Sequence, residues 1–121
     1  MTATAGRLTT HVLDIARGRP AANMAIELWR VDASGAQRTL LQATRTVADG
    51  RTEAPLLAEG ELTVGMYELV FAVGDYFAGQ GGEGQPFLDR VPVRFAVSDP
   101  TAHYHVPLLV SPWAYSTYRG S

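Results

Sequence analysis

Three histidines, His11, His103 and His105, are the side chains of this sequence best suited to proton transfer near neutral pH. An imidazole has an unperturbed pKa of about 6.5, so it can take a proton from water and return one to a leaving group. His103 and His105 are two residues apart in a predicted strand, which places both rings on one face. The pair could therefore serve acid–base chemistry or, with a third ligand, bind a metal.

A metal site would need His11 as its third ligand, because the chain has no cysteine. The alternative is that some of these rings, His103 above all, are ordinary surface or hydrogen-bonded histidines. His11 lies in an apolar strand, where a polar ring needs a partner. Asp14 is three residues away and so on the opposite face, and it cannot be that partner. We predict no metal and no cofactor.

Any hydrolysis by this chain is expected to use water, not a side chain, as the nucleophile. The sequence has no cysteine and no G-x-S-x-G motif, and Ser111 and Ser116 fit turn and strand positions. Arg51 directly follows an Asp49-Gly50 turn, and its planar guanidinium could bind an anionic or carbonyl-rich ligand at two points. Taken alone, however, Arg51 is predicted to be a solvated loop residue.

The carboxyl end, HYHVPLLVSPWAYSTYRGS, is unusually rich in histidine and aromatic residues for a chain terminus. Trp113 and Tyr115 share one face of the last predicted strand, where such aromatics indicate core or subunit interface. Tyr118 is on the other face and only three residues from Ser121. Its hydroxyl and the terminal carboxylate could therefore converge on one pocket.

The composition predicts one globular domain, residues 1–121, with 46% hydrophobic residues and a net charge of −2. The charge gives no basic footprint for nucleic acid. The absence of cysteine excludes a disulfide framework. We find no signal-peptide core and no apolar run long enough for a membrane span, so we predict a cytoplasmic protein with no membrane partner.

Period-two alternation of apolar residues predicts short strands along most of the chain. The segments are LTTHVLDI, MAIELWRV, TLLQATRTV, MYELVFAV and RVPVRFAV, followed by the carboxyl end. Pro92 in RVPVRFAV indicates an edge strand or a strand start. The segment ARGRPAAN suits a tight connection, and GDYFAGQGG is the one predicted helix. The predicted fold class is all-β, a two-sheet sandwich of seven to eight strands with one short helix.

Several of these segments together resemble one known family. They are THVLD, GRPAANMAIELWRV, ADGR, YELVFAVGDYF, FLDRVPVRF and the terminal YRGS, and they resemble the 5-hydroxyisourate hydrolases, transthyretin-like enzymes of purine breakdown. The resemblance implies a transthyretin-like sandwich and a homotetramer with active sites in a channel where dimers meet. It also implies hydrolysis of 5-hydroxyisourate to 2-oxo-4-hydroxy-4-carboxy-5-ureidoimidazoline.

The resemblance further implies which residues act. His11, Arg51, His105, Tyr118 and Ser121 are the expected catalytic residues, and the first two with Tyr118 are expected to bind substrate. The histidines would activate water and protonate the departing nitrogen, in an order that stays open. Arg51 would stabilise charge on the attacked carbonyl oxygen. Two alternatives remain, a non-catalytic carrier of small ligands with the same fold and a zinc hydrolase using all three histidines.

Overall fold

Two four-stranded sheets face each other in the structure, a computed structural model that describes residues 6–81 and 86–120. The strands of the first sheet are β1 (Arg7–Asp14), β2 (Arg19–Pro20), β7 (His103–Val110) and β8 (Tyr115–Thr117). Those of the second sheet are β3 (Ala25–Val31), β4 (Arg38–Arg45), β5 (Gly65–Ala72) and β6 (Arg90–Val97). One helix, α1 (Val73–Ala78), follows β5. The predicted two-sheet β-sandwich with one short helix is confirmed.

The strand order is β2-β1-β7-β8 in the first sheet and β4-β3-β5-β6 in the second. Within the first sheet, β1 and β7 run parallel and pair over eight residues, from Arg7 opposite His103 to Asp14 opposite Val110. The other pairings within the sheets are antiparallel. Pro92 lies in β6, an edge strand, as the missing backbone donor of proline requires.

The core forms where the inner faces of the two sheets meet. Alternate residues of β1, β6 and β7 point inward, as the sequence alternation predicts, whereas most of β5 is buried on both faces. Leu8, Val12 and Leu108 contribute from the first sheet, and Tyr67, Leu69 and Phe71 from the second; all are at most 1% exposed. Since the buried residues of β1 and β7 alternate along each strand, the intervening positions of both strands lie together on the outer face of the first sheet.

The helix α1 is attached to the end of β1 through a buried carboxylate. The hydroxyl of Tyr76 donates to Asp14 Oδ2 at 2.8 Å, and Asp14 is fully buried. The backbone N–H groups of Ala16 and Arg17 donate to Asp14 Oδ1. Burial and the adjacent carboxylate raise the pKa of Tyr76 to about 12. Asp14 thus faces inward, opposite to His11, as predicted from their spacing.

Two further features bear on the sequence expectations. The segment ARGRPAAN was expected to connect two strands tightly, but β1 and β3 lie in different sheets and this segment carries the chain from one to the other. The helix has only six residues, whereas a membrane crossing needs about 20. No helix in the described part of the chain can therefore cross a bilayer.

Candidate active site

The candidate site lies on the outer face of the first sheet, where β1 and β7 run side by side. Thr9 is opposite His105 and Arg7 is opposite His103 in the register of these strands. Residues at paired positions of adjacent strands project to the same face. The alternation of buried and outward positions thus places Arg7, Thr9, His103 and His105 on a common outer surface.

Thr9 and Gly120 hold His105 in place. Its Nδ1 lies 2.8 Å from Thr9 Oγ1, and its backbone carbonyl accepts a hydrogen bond of 2.7 Å from the N–H of Gly120. A Cβ atom on Gly120 would lie only 2.7 Å from Cδ2 of the ring, so the glycine lets the backbone pack directly against the imidazole. Gly120 therefore supports both the backbone and the ring of His105.

The electrostatic surroundings of His105 favour its neutral form. Burial lowers its pKa below the ordinary value, and the positive charges of Arg51, His103 and His11 lower it further. The pKa of His103 is also lowered, by burial and then by Arg7. A neutral imidazole at pH 7 can accept a proton, which is the requirement for a general base.

His11 lies beside the Asp49-Gly50 turn, on the same strand face as Thr9. Its Nε2 is 2.7 Å from the carbonyl oxygen of Asp49. A carbonyl only accepts hydrogen bonds, so Nε2 carries the proton and, in the neutral ring, Nδ1 is the basic nitrogen. A Cβ on Gly50 would lie 3.1 Å from the ring and 2.4 Å from the carbonyl oxygen of Val12. Both His11 and His105 thus pack against a glycine.

Arg51 is joined to His11 by a β-bridge and is more than half exposed. Its backbone N–H donates to Asp49 Oδ1 at 2.9 Å, while its Nε lies 4.0 Å from Asp49 Oδ2, at the outer limit of an ion pair. The loose ion pair leaves guanidinium N–H groups able to bind a ligand. The structure therefore fixes the backbone of Arg51, while its side chain is solvent-exposed, as expected of the residue taken alone.

A cavity of about 430 Å³ opens in front of His105 and Arg51, and His11 lies beside it but is not part of its lining. Its lining includes Arg51, His105, His103, Thr9, Arg7 and Glu53. Its volume is enough for a small heterocycle. The positive guanidinium and the neutral imidazole face one space, which suits a ligand that gains negative charge during reaction.

The sequence-predicted residues are only partly brought together in the single chain. His105 and Arg51 line the cavity, and His11 is close enough for its charge to lower the pKa of His105. Tyr118 is 58% exposed and lines a different groove, between β8 and β6. Ser121 lies outside the described residues.

Two supporting residues, Thr9 and Gly120, were not identified as such from the sequence. Thr9 is two residues before His11, and the same alternation that places His11 outward also places Thr9 outward. Its contact with His105, 96 residues away, depends on the parallel pairing of β1 and β7. The proximity of Gly120 to His105 depends on the continuation of the β7–β8 pairing.

The metal alternative gains no support from the geometry. Thr9 Oγ1 lies 2.8 Å from Nε2 of His103 and 2.8 Å from Nδ1 of His105, and the two ring centres are 6.2 Å apart. Across residues 6–81 and 86–120, no three histidine, aspartate or glutamate side chains are grouped closely enough to hold an ion.

Comparison with known proteins shows which family this chain is related to. The model of the HIUase/Transthyretin family matches residues 8–120. The chain belongs to this family. It is 58% identical over 118 residues to a 5-hydroxyisourate hydrolase of Mesorhizobium japonicum, covering 96% of this chain and 93% of that protein. It is 55% identical over 115 residues to a 5-hydroxyisourate hydrolase of Deinococcus radiodurans, covering 94% and 95% of the two chains.

Solved structures of this family share the fold. An (S)-allantoin synthase superposes with a TM-score of 0.89 at 50% identity over 98% of this chain, which spans 45% of that protein. The 5-hydroxyisourate hydrolase of Klebsiella pneumoniae gives a TM-score of 0.79 at 33% identity, covering 96% and 99% of the two chains. Transthyretin from Sparus aurata gives 0.83 at 29% identity, covering 94% and 96%.

Proposed function

We propose that this protein is a hydrolase that converts 5-hydroxyisourate to 2-oxo-4-hydroxy-4-carboxy-5-ureidoimidazoline in urate breakdown. Relatives that carry the name 5-hydroxyisourate hydrolase are 55–58% identical to it over almost the whole chain. The observation that carries the assignment to this site is the cavity in which the exposed guanidinium of Arg51 and the imidazole of His105 meet.

The proposed chemistry is hydrolysis of a cyclic C–N acyl bond by water. Water attacks the carbonyl carbon and gives a proton to His105, whose lowered pKa keeps its ring neutral at pH 7. Arg51 donates hydrogen bonds to the carbonyl oxygen as it becomes negative. The C–N bond then breaks and the ring nitrogen receives a proton from a protonated histidine, either His105, which holds the proton of the attacking water, or His11.

His11 is proposed to complete this site as the second proton carrier. Its Nε2 is tied to the Asp49 carbonyl, so Nδ1 is the nitrogen that exchanges a proton with substrate or water. The β-bridge between His11 and Arg51 keeps the two groups together. Acid–base catalysis of this kind contributes about 10²–10⁴-fold to rate.

Tyr118 and Ser121, the remaining expected catalytic residues, are proposed to act through association of several copies of the chain. We propose a homotetramer with substrate sites between copies, in which Tyr118 and Ser121 help to hold the ligand. Gly120, one residue before Ser121, donates a backbone hydrogen bond to the carbonyl of His105, which supports the inclusion of Ser121 in this proposal. β6 and β8 are sheet edges, and Trp113 is 71% exposed, as expected of surfaces that another copy covers. A cytoplasmic location and a single domain stay predictions from the sequence.

The alternative of a non-catalytic carrier is not favoured. The transthyretin of Sparus aurata is 29% identical to this chain, whereas the hydrolase of Mesorhizobium japonicum is 58% identical. A carrier would also have no use for a neutral imidazole with a lowered pKa next to an exposed arginine. These observations support the enzyme.

Generating 5-hydroxyisourate from urate with urate oxidase and following its ultraviolet absorbance tests the proposal. We expect this protein to hasten the decay well beyond the spontaneous rate, in proportion to its concentration. Carbon-13 spectra should show the ring-opened carboxylate product accumulating at the same rate. Decay equal to that in a control without protein would refute the hydrolase assignment.

A further inference from the structure

Thr9 lies between two histidine rings on the floor of the cavity. Its Oγ1 is 2.8 Å from Nε2 of His103 and 2.8 Å from Nδ1 of His105. All three residues line the same cavity as Arg51. The three side chains come from adjacent parallel strands, so their spacing is set by backbone pairing and not by a flexible loop.

A threonine hydroxyl carries one proton, so it can donate only one hydrogen bond. The oxygen could accept from both rings, but the hydroxyl proton would then have no acceptor among residues 6–81 and 86–120, where its hydrogen-bond partners are the two rings. The arrangements that use this proton therefore have the hydroxyl accept from one ring and donate to the other. The first arrangement has Nδ1–H of His105 donating to Oγ1, and O–H donating to Nε2 of His103. The second has Nε2–H of His103 donating to Oγ1, and O–H donating to Nδ1 of His105. The hydroxyl therefore couples the tautomers of the two rings.

Only the first arrangement makes His105 a base towards the cavity. Within residues 6–81 and 86–120, the ring of His105 makes its hydrogen bond through Nδ1 and not through Nε2. When Nδ1 carries the proton, Nε2 keeps a lone pair for water. When Nδ1 accepts from threonine, Nε2 is protonated and cannot act as a base.

We propose that Thr9 is a positioning residue that holds His105 in the Nδ1–H tautomer, with His103 as the acceptor that directs the threonine proton away from His105. This inference rests on the proposed hydrolase function for its kinetic consequence. It gives His103 a specific role, which is neither metal binding nor direct contact with the reacting atoms. The charged groups around the pair, Arg7, Arg51 and His11, disfavour protonation of both rings and so preserve the coupled neutral arrangement.

Four variants separate this role from simple packing. Thr9→Val keeps the shape of the side chain but removes the hydroxyl, and Thr9→Ser keeps the hydroxyl. Thr10→Val is the matched control on the same strand: Thr10 is 2% exposed, and its hydroxyl donates to the backbone carbonyl of Val106 and not to a ring. His103→Phe removes the proposed acceptor.

The first readout is the protonation of the ring nitrogens, from nitrogen-15 correlation spectra of the intact protein above pH 7. With only three histidines, each ring can be assigned by its own substitution. We expect His105 to carry its proton on Nδ1 in the wild type, Thr9→Ser and Thr10→Val. In Thr9→Val and His103→Phe we expect Nε2–H to become substantially populated. A wild-type His105 protonated on Nε2 would overturn the proposal.

The second readout is the rate of 5-hydroxyisourate hydrolysis. We expect Thr9→Val to lower kcat by about 10- to 100-fold, the cost of a lost hydrogen bond to a group that becomes charged, with KM little changed. Thr9→Ser should restore most of kcat. A Thr9→Val enzyme with wild-type kcat would overturn the positioning role while leaving the hydrolase function intact. If the wild type itself failed to hydrolyse the substrate, the proposed hydrolase function would be refuted. The ring-nitrogen spectra would still decide which tautomer of His105 is present.

Discussion

At the scale of single residues, the site consists of ordinary side chains whose properties are set by close neighbours. His105 is kept neutral by burial and nearby positive charge, and its ring is fixed by Thr9 and Gly120. His11 is fixed by a backbone carbonyl. A structure that fixes both rings before substrate arrives avoids paying for their alignment during the reaction.

The pH dependence of His105 is the first prediction at this scale. Its lowered pKa means that, as pH falls, the unfolded chain takes up the proton near pH 6.5 and the folded protein only below that. The basic form therefore persists below pH 6.5, and both kcat/KM and folding stability should decline on the acid side of that value. Proton spectra of the ring should give a midpoint below 6.5, and Arg51→Gln should raise it. A midpoint at or above 6.5 in the wild type would contradict this account.

Gly120→Ala is the second prediction at this scale. The added Cβ would lie 2.7 Å from the His105 ring, so the ring must move. We expect turnover to fall by up to about 100-fold, the scale of a displacement of about 1 Å at a reacting group. Gly79→Ala is the matched control, because its Cβ would meet only ordinary contacts at 3.5 Å. Equal activity of the two variants would show that the glycine does not position His105.

At the scale of elements, the alternation of apolar residues predicted most strands but not which strands pair with each other. Alternation in MYELVFAV and RVPVRFAV predicted two strands, and the structure confirms both as β5 and β6. Pro92 indicated an edge strand or a strand start, and β6 is an edge strand. The parallel pairing of β1 with β7 joins segments more than 90 residues apart and has no local signal. The chemistry of imidazole could therefore single out His11 and His105, but only the family resemblance could place them in one site, and neither could show the contacts of Thr9.

The link between α1 and β1 provides a prediction at the scale of elements. Tyr76→Phe removes the donor to the buried carboxylate of Asp14. We expect the free energy of unfolding to fall by about 1.5–3 kcal/mol, the usual worth of a hydrogen bond to a charged group. Urea unfolding at one fixed protein concentration measures it. Ser34→Ala, which removes an exposed hydroxyl donor to the carboxylate of Asp32, is the control and should change stability little; equal losses would contradict the assigned role of the buried link.

At the scale of the whole molecule, the single chain leaves surfaces that fit an assembly. Tyr118 lines a groove between the edge strands β6 and β8, away from the cavity of His105. In the proposed homotetramer, contact between copies of the chain would bring Tyr118 to a substrate site. The proposed homotetramer would therefore explain why Tyr118 lies outside the cavity of the single chain.

The mass in solution tests that proposal. Light scattering at the assay concentration should report about four copies of the 13.0 kDa chain. The reason is that two sheet edges and exposed aromatic residues favour association over exposure to water. A monomer that is fully active would contradict shared sites, whereas a tetramer without activity would separate assembly from function.

The central claim is that one cavity, with Arg51 and His105 on its wall, hydrolyses 5-hydroxyisourate. Its most direct test compares decay of that substrate with wild-type protein, with His105→Gln and with no protein, after matched melting curves show that the variant folds. The account predicts fast decay with wild type and a loss of about 10²-fold or more in the variant, the scale of lost acid–base catalysis. Wild-type rates in a folded His105→Gln protein would contradict it.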